Sequence, residues 1–399
     1  MKLKGKKILL GVTGGIAAYK SPSIVSLLKK QGAEVKVVMT EGATQFVTPL
    51  TFQTMSANAV HCDMFKAMDH MDVEHIALAK WADMIVIAPA TENTIAKFAY
   101  GIADNLLSTV LQASRSKVMV VPAMNTFMLE SPANRQNMAT LKERGVIVTD
   151  TQRDLLACND VGSGKMLEPA EIVDLIDFHL REKDLAEYIV TVTAGPTQEA
   201  VDPVRYLTNH SSGKMGYHLA TAAAKRGAKV NLISGPTALS APAYVNFVPV
   251  VTTQDMFDAV GAYFDETDVL IKAAAPADFK PASYSAQKVK KDSDMSSLQL
   301  VKNPDIAKHF GAKKTDQVLV GFAAESQNEI AFGRGKLEKK HLDMIVINNI
   351  TAANAGFQKD VNTVTILHAD GAVDEPGTMS KEELAEHILD QTLEILKAR

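Results

Sequence analysis

The residues best suited to chemistry in this chain stand just beyond short apolar runs. Asn125, in "VPAMNTFMLESP" (121–132), follows such a run and is flanked by Met124, Phe127 and Met128. Burying an amide there costs free energy unless its hydrogen bonds are met. A ligand carboxylate or carbonyl would meet them, and so would a local turn. Cys158, in "LLACNDVGSGKM" (155–166), lies between an apolar pair and a loop carrying Gly162 and Gly164. A thiol so placed is either an idle buried group or a reactive one. His75, in "DVEHIALAKWAD", occupies a helix-like stretch beside Ile76, Leu78 and Trp81. An imidazole there can exchange a proton near neutral pH, or be structural or surface-exposed.

A second set of segments has the chemistry of anion binding. In "GVTGGIAAYKSP", Gly14 and Gly15 follow an apolar run and open a helix, so backbone amides can face a phosphate. The spacing is not G-x-G-x-x-G, which suits a lone phosphate better than a pyrophosphate; the glycines can equally serve a tight turn alone. Ser21-Pro22 reads as a fresh N-cap with proline at the first helical position, so the helix kinks or restarts there. "APATENT" (88–94) offers Thr91, Asn93 and Thr94 to a phosphate or ring edge, or as a helix cap.

Farther along, "NHSSGKMG" (209–216) opens another helix after a loop longer than ordinary βα turns. "APADFKP" (275–281) brings Asp278 to a strand end, and "QKVKK" (287–291) adds basic residues. Lysines on separate loops can converge on a polyphosphate, although such runs are usually solvated surface.

These segments need a scaffold. "KILLGV" (7–12), "EVKVVMT" (34–40), "MIVIAPA" (84–90), "KVMVVPA" (117–123) and "VIVTD" (146–150) read as buried strands. They alternate with helical stretches such as 21–32 and 134–145, which predicts a parallel sheet covered on both faces. The pattern restarts with a strand at 189–195, a helix at 214–227 and a strand at 229–235. Further strands are expected at 268–275, 317–323, 343–348 and 362–368, and a closing helix at 380–399 with Ser380 and Glu383 as its capping box. The charged stretch 179–188 separates two α/β domains, 1–183 and 184–399.

Composition narrows the classes. The chain has 399 residues, 46% hydrophobic and 22% charged, as expected of a soluble globular protein. Its net charge of -4 gives no general reason to bind nucleic acid, and no apolar run is long enough to span a bilayer. The start, "MKLKGKKILLGVTGG", reads as a first strand and not as a signal peptide. Cys62 and Cys158 are too few for a disulfide framework, which indicates reduced thiols and a cytoplasmic protein.

"TGGIAAYK", "APATENT", "PAMNTFM" and "GSGKMLEP", in this order, resemble the homo-oligomeric flavin-containing cysteine decarboxylases. The second half, through "NHSSGKMG", "APADFKP", "KNPDI" (302–306), "GFAAES" (321–326) and "GKLEKKHLD" (335–343), resembles the phosphopantothenate–cysteine ligase domain. Over nearly the whole chain the resemblance is to the bifunctional bacterial enzymes of coenzyme A synthesis.

That resemblance implies a flavodoxin-like or Rossmann-like domain with FMN, followed by a second Rossmann-like domain. The substrates would be 4'-phosphopantothenate, cysteine, CTP and 4'-phosphopantothenoylcysteine, with magnesium neutralising the triphosphate. FMN would be held by Gly14, Gly15, Ile16, Thr40, Thr91, Asn93, Thr94 and Ala123. His75 would be the base or charge partner, Asn125 would hold the substrate carboxylate, and Cys158 would donate a proton on a flap hinged at Gly162 and Gly164. In the second domain Asn209 would assist the acyl-cytidylate and Lys288 the attack of cysteine. Ala275, Asp278, Asn303, Pro304, Asp305, Ile306, Phe322, Lys336 and Lys340 would line the CTP site. The metal ligands are not assigned. Trimers and dimers combined into a dodecamer would be the assembly.

The chain departs from the family pattern at Asn159 and Lys165, where glycine and arginine are usual, and at Leu129, Pro276 and Asn349. Two other readings stay open: a flavin-binding regulatory subunit without catalysis, and a flavoprotein acting on peptide cysteines.

Overall fold

The computed structural model describes residues 2–65, 73–155, 161–290, 297–325, 329–349 and 361–399. The chain divides into two compact units, Met1–Arg181 and Glu182–Arg399.

The strands of the first unit are β1 (Lys7–Val12), β2 (Glu34–Met39), β3 (Val60–His61), β4 (Met84–Ala90), β5 (Lys117–Pro122) and β6 (Ile147–Val148). They form one sheet in the order β3-β2-β1-β4-β5-β6, and every pairing is parallel. Side chains alternate along a strand, so β1 sends Ile8, Leu10 and Val12 into one apolar cluster and Leu9 into another. β4 does the same with Met84, Val86 and Ala88 against Ile85 and Ile87, and all seven of its residues are buried. Two buried faces explain why these strands read as continuous apolar runs. A two-stranded antiparallel hairpin, β7 (Gln152–Leu155) and β8 (Val161–Lys165), follows the sheet.

Two local expectations change. The strand expected at 146–150 shrinks to Ile147–Val148, at the sheet edge. Ser21 was expected to cap its helix. The helix does restart there, a 3₁₀ turn at Ile16–Lys20 giving way to an α-helix at Ser21–Lys30. The Ser21 hydroxyl, however, donates to the Ala88 carbonyl at 2.7 Å, and Lys20 occupies the cap without a side-chain bond. A buried long-range hydrogen bond has displaced the local one.

The second unit opens with β9 (Ile189–Ala194) and an antiparallel pair, β10 (Gln198–Ala200) and β11 (Tyr206–Thr208). Next come β12 (Lys229–Ser234), β13 (Asn246–Pro249) and β14 (Val269–Lys272). A second antiparallel pair, β15 (Phe279–Pro281) with β16 (Leu300–Lys302), precedes β17 (Val318–Glu325), β18 (Met344–Asn349) and β19 (Val361–His368). The main sheet runs β13-β12-β9-β14-β17-β18-β19, parallel as far as β18, with β19 antiparallel to β18 and the short β20 (Val373–Asp374) and β21 (Thr378–Ser380) antiparallel to β19. Both faces are again covered: Val190, Val192 and Ile271 join one cluster, Ile233, Leu270 and Leu319 the other. The closing helix spans Lys381–Lys397, with both halves of the Ser380–Glu383 capping box in place.

Both parallel sheets follow the same winding, in which the first-entered strand stands at the centre and the order reverses beside it. Among the described residues no helix is long and apolar enough to cross a membrane.

Candidate functional site

Open α/β sheets bind ligands beyond the carboxyl ends of the strands, where strand order reverses. In the first unit that point lies between β1 and β4. Thr13, 1% exposed, donates its hydroxyl to the Pro89 carbonyl at 2.7 Å and accepts the Thr91 amide at 3.0 Å. One side chain thus ties the two strand ends together. Gly14 is required here by close approach, because a Cβ would stand 2.8 Å from the Gly42 backbone.

A cavity of about 570 Å³ opens at this point, and Gly14, Gly15, Ile16, Thr91, Ala123 and Asn125 all line it. Three expected residues do not. Thr40 caps the short helix Glu41–Thr44, Asn93 is exposed, and Thr94 is buried with its hydroxyl 3.2 Å from that of Thr91. Lys20 and Lys165 also face the cavity. Lys20 is buried and pairs with Glu168 at 2.6 Å. Lys165 pairs with Asp154 at 2.5 Å, and that hydrogen bond holds its ammonium above the usual lysine range.

Asn125 makes the local turn weighed for it and also stands on the cavity wall. Its Oδ1 accepts the Phe127 amide at 2.8 Å, capping Thr126–Glu130, while the residue lines the cavity. The hairpin packs on the same loop: the Met124 amide donates to the Gly164 carbonyl at 3.1 Å, and the Thr126 hydroxyl to the Ser163 carbonyl at 2.7 Å. A Cβ at Gly164, whose φ is +129°, would lie 2.1 Å from the Met124 carbonyl oxygen; at Gly162 it would lie 2.3 Å from the Thr126 hydroxyl. Close packing of the hairpin on the Asn125 loop is thus a reason for small residues at these two positions, beside the hinge expected there.

His75 stands half-buried on the helix Glu74–Trp81 and does not line the cavity. Glu74 beside it pairs with His61 on β3. Cys158 and Asn159 lie outside the described residues. Cys62 is exposed.

In the second unit the order reverses between β9 and β14. A cavity of about 510 Å³ lies there, lined by Asn209, Ala275, Asp278, Phe322, Lys336 and the start of the helix Lys214–Lys225. A smaller hollow of about 150 Å³ shares Asp278, Phe322 and Lys336 and adds Pro304, Asp305, Ile306 and Lys340. Asn209 is held by its Nδ2, which donates to the carbonyls of Ala275 at 3.3 Å and Pro276 at 3.0 Å. Asn303 faces neither cavity; its amide groups bind the Ala277 and Asp278 carbonyls, each at 2.9 Å. Burial favours protonation of Asp305, but the Lys308 amide and the Lys340 ammonium outweigh it and hold the carboxyl below the usual range.

Lys288 is exposed and faces neither cavity. Its loop is nevertheless anchored. Buried Asp202 accepts the amides of Val204 and Arg205, each at 2.8 Å, and that of Val289 at 3.2 Å. Burial alone would raise the Asp202 carboxyl, and these three donors bring it below the usual value instead.

Several residues escaped the sequence reading. Asn348, Asn362 and Lys381 are buried in the wall of the 510 Å³ cavity. The side-chain oxygens of both asparagines have no partner among the described residues. A polar residue closing the apolar run "MIVINN" was the one available signal for Asn348. Lys272, on the wall of the smaller hollow, was missed as well. Among the described residues no cluster of three His, Cys, Asp or Glu side chains forms a metal site.

Residues 1–181 match the family described as Flavoprotein, and residues 185–396 match the DNA/pantothenate metabolism flavoprotein C-terminal domain. The chain is 45% identical over 399 residues to the coenzyme A biosynthesis bifunctional protein CoaBC of Bacillus subtilis (strain 168), covering 99% of this chain and 98% of that one. It is 42% identical over 394 residues to the protein of the same name from Escherichia coli (strain K12), covering 98% and 97%. A crystal structure of the C-terminal domain of a CoaBC protein, 39% identical, covers 55% of this chain and 100% of its own, with a TM-score of 0.48. With relatives aligned from end to end and a family match in each half, the chain belongs to the CoaBC family of bifunctional coenzyme A biosynthesis proteins.

Proposed function

We propose that the second unit joins 4'-phosphopantothenate to cysteine at the expense of CTP, and that the first unit decarboxylates the resulting 4'-phosphopantothenoylcysteine to 4'-phosphopantetheine with FMN. The observation that supports this best is convergence: in each unit, residues from separate loops meet at one cavity where the strand order reverses.

The first cavity suits FMN. The side-chain-free backbone at Gly14 and Gly15 and the Thr91 hydroxyl suit a phosphate, and Ile16 and Tyr19, 57% and 62% exposed, provide apolar surface for a flat ring. FMN held there would supply a two-electron acceptor and donor for the substrate's thiol end. Asn125 orients the substrate carboxylate with an uncharged amide, and Cys158 donates the proton that completes the reduced product. One chain does not bring His75 to the Asn125 cavity, which supports a homo-oligomer in which another copy supplies it. Trimers of this unit, joined through paired second units into a dodecamer, accommodate that. A cytoplasmic setting keeps the cysteine substrate and the Cys158 thiol reduced.

In the second unit the phosphopantothenate carboxylate attacks the α-phosphorus of CTP and pyrophosphate leaves. The cysteine amine then attacks the acyl carbon of the acyl-cytidylate and CMP departs. Asn209 assists the acyl-cytidylate by holding the strand-end carbonyls of Ala275 and Pro276 in place, and Lys288 supplies charge as cysteine attacks. Asp278, Pro304 to Ile306, Phe322, Lys336 and Lys340 hold the nucleotide, and Asn303 supports them through the Ala277 and Asp278 carbonyls. Magnesium enters with the triphosphate as part of the substrate, neutralising its charge.

The test is to incubate the full chain, reconstituted with FMN, with 4'-phosphopantothenate, cysteine, CTP and magnesium, following pyrophosphate and carbon dioxide. Both products are expected. Neither product, even with 4'-phosphopantothenoylcysteine supplied, would favour the non-catalytic flavin-binding subunit; pyrophosphate without carbon dioxide assigns the loss to the first unit, and carbon dioxide from the supplied intermediate alone assigns it to the second.

Two substitutions probe the supports. Gly164→Ala forces the hairpin off the Asn125 loop, and carbon dioxide release is expected to fall about tenfold, as misplaced catalytic groups do, with pyrophosphate release unchanged. Asp202→Ala releases the loop carrying Lys288, and ligation at saturating CTP is expected to fall about tenfold on the same ground. Because the folded-state pKa of Asp202 is depressed, its contribution is full above about pH 4 and lost as pH falls through the folded value. Stopped assays of pyrophosphate release, with an unfolding midpoint measured beside them, separate lost positioning from lost fold.

A further inference from the structure

Lys272 ends β14 and faces the 150 Å³ hollow. The other charged groups on that wall are Lys336 from the helix Glu329–Lys339, Lys340 just beyond it, Asp278 from the loop after β14, and Asp305 at the cap of Ile306–Lys313. Asp305 is already engaged, its Oδ2 lying 3.0 Å from the Lys340 ammonium. Three ammoniums against two carboxylates leave the wall with a net positive charge.

A strand end beside Gly321, Leu342 and Ile345 is a costly place for a lysine. Burial, reinforced by Lys340, pushes Lys272 down to about 8, while Asp305 and Asp278 pull it back. Among the described residues no group makes a hydrogen bond to its ammonium. The fold therefore holds a strongly hydrated point charge in a small hollow without giving it a dedicated partner. A neutral base edge compensates such a charge poorly, whereas a multivalent anion compensates it well.

Resting on the nucleotide-dependent ligation proposed above, we propose that Lys272 is a third cation of the phosphate-binding wall, meeting the phosphates of the nucleoside triphosphate together with Lys336 and Lys340. Its charge is completed by the ligand. Because anion binding favours the protonated ammonium, the chain takes up a proton when it binds the nucleotide at pH 8.5.

The experiment measures binding of CTP, inorganic pyrophosphate and cytidine to the full chain and to its Lys272→Met and Lys272→Arg variants, by calorimetry at pH 8.5 in two buffers of different ionisation enthalpy. Lys272→Met is expected to weaken CTP and pyrophosphate about tenfold, as loss of one charge-assisted contact does, to leave cytidine unchanged and to abolish the proton uptake. Lys272→Arg is expected to restore most of the affinity. Unfolding midpoints control for folding, and removing an ammonium without a hydrogen-bond partner should not lower them. Unchanged pyrophosphate binding by Lys272→Met, or a loss confined to cytidine, overturns the proposal while the ligase reading survives. A wild-type chain that binds no CTP removes that reading and the proposal with it.

Discussion

Replacing Asn209 with alanine is expected to lower pyrophosphate release about 100-fold, the loss that a misplaced site loop brings. Decarboxylation of supplied 4'-phosphopantothenoylcysteine should be untouched. The size follows from preorganisation. The Asn209 amide is clamped by the carbonyls of Ala275 and Pro276, so it does not have to be ordered when the substrate arrives. The residue is exposed, and truncating it should leave folding within about 0.5 kcal/mol of the wild type. Separate assays of pyrophosphate and carbon dioxide on one preparation check both halves. A loss under threefold would remove Asn209 from the chemistry.

Asn125→Asp is the sharper test of the first unit. Aspartate is as good a helix cap as asparagine, so the hydrogen bond from the Phe127 amide and the short helix Thr126–Glu130 should survive. The difference is a negative charge where the substrate carboxylate is to lie. Like charges a few ångströms apart in a partly desolvated pocket repel by several kcal/mol, which corresponds to a fall in kcat/KM of about 1,000-fold. The loss should shrink at lower pH as the new carboxyl protonates. A pH profile of carbon dioxide release reads both effects, and a variant with wild-type KM would mean that the carboxylate binds elsewhere.

How much of this could be read from the chain depends on the range of the interactions involved. β1 and β4 carry their own signal, because strands buried on both faces must be apolar at nearly every position. The helix Lys381–Lys397 was legible for a similar reason, its cap and amphipathic face lying within its own residues. The two-residue strands β3 and β6 have no comparable pattern, being held mainly by pairing at the sheet edges. Ser21 shows local logic losing: its hydroxyl had a cap available and serves a carbonyl 67 residues away instead.

The sites divide in the same way. Gly14, Thr91 and Asn125 follow strand ends, where chain order alone suggests a ligand. Asn348, Asn362, Lys381 and Lys272 come from four different elements, and only folding makes them neighbours of a cavity. Gly162 and Gly164 are visible in the sequence, but the group requiring their small size lies on the Asn125 loop and is supplied only by folding.

The four apolar clusters have a genetic consequence. Two are built from residues of the first unit and two from residues of the second. Damage to one core falls first on the unit it builds, and so on one of two consecutive reactions. A cell carrying two alleles, one defective in each half, retains a working copy of both steps. Two lesions of the same core leave no such rescue. This gene is thus built for intragenic complementation, with the boundary between complementing groups set by where one core ends and the next begins.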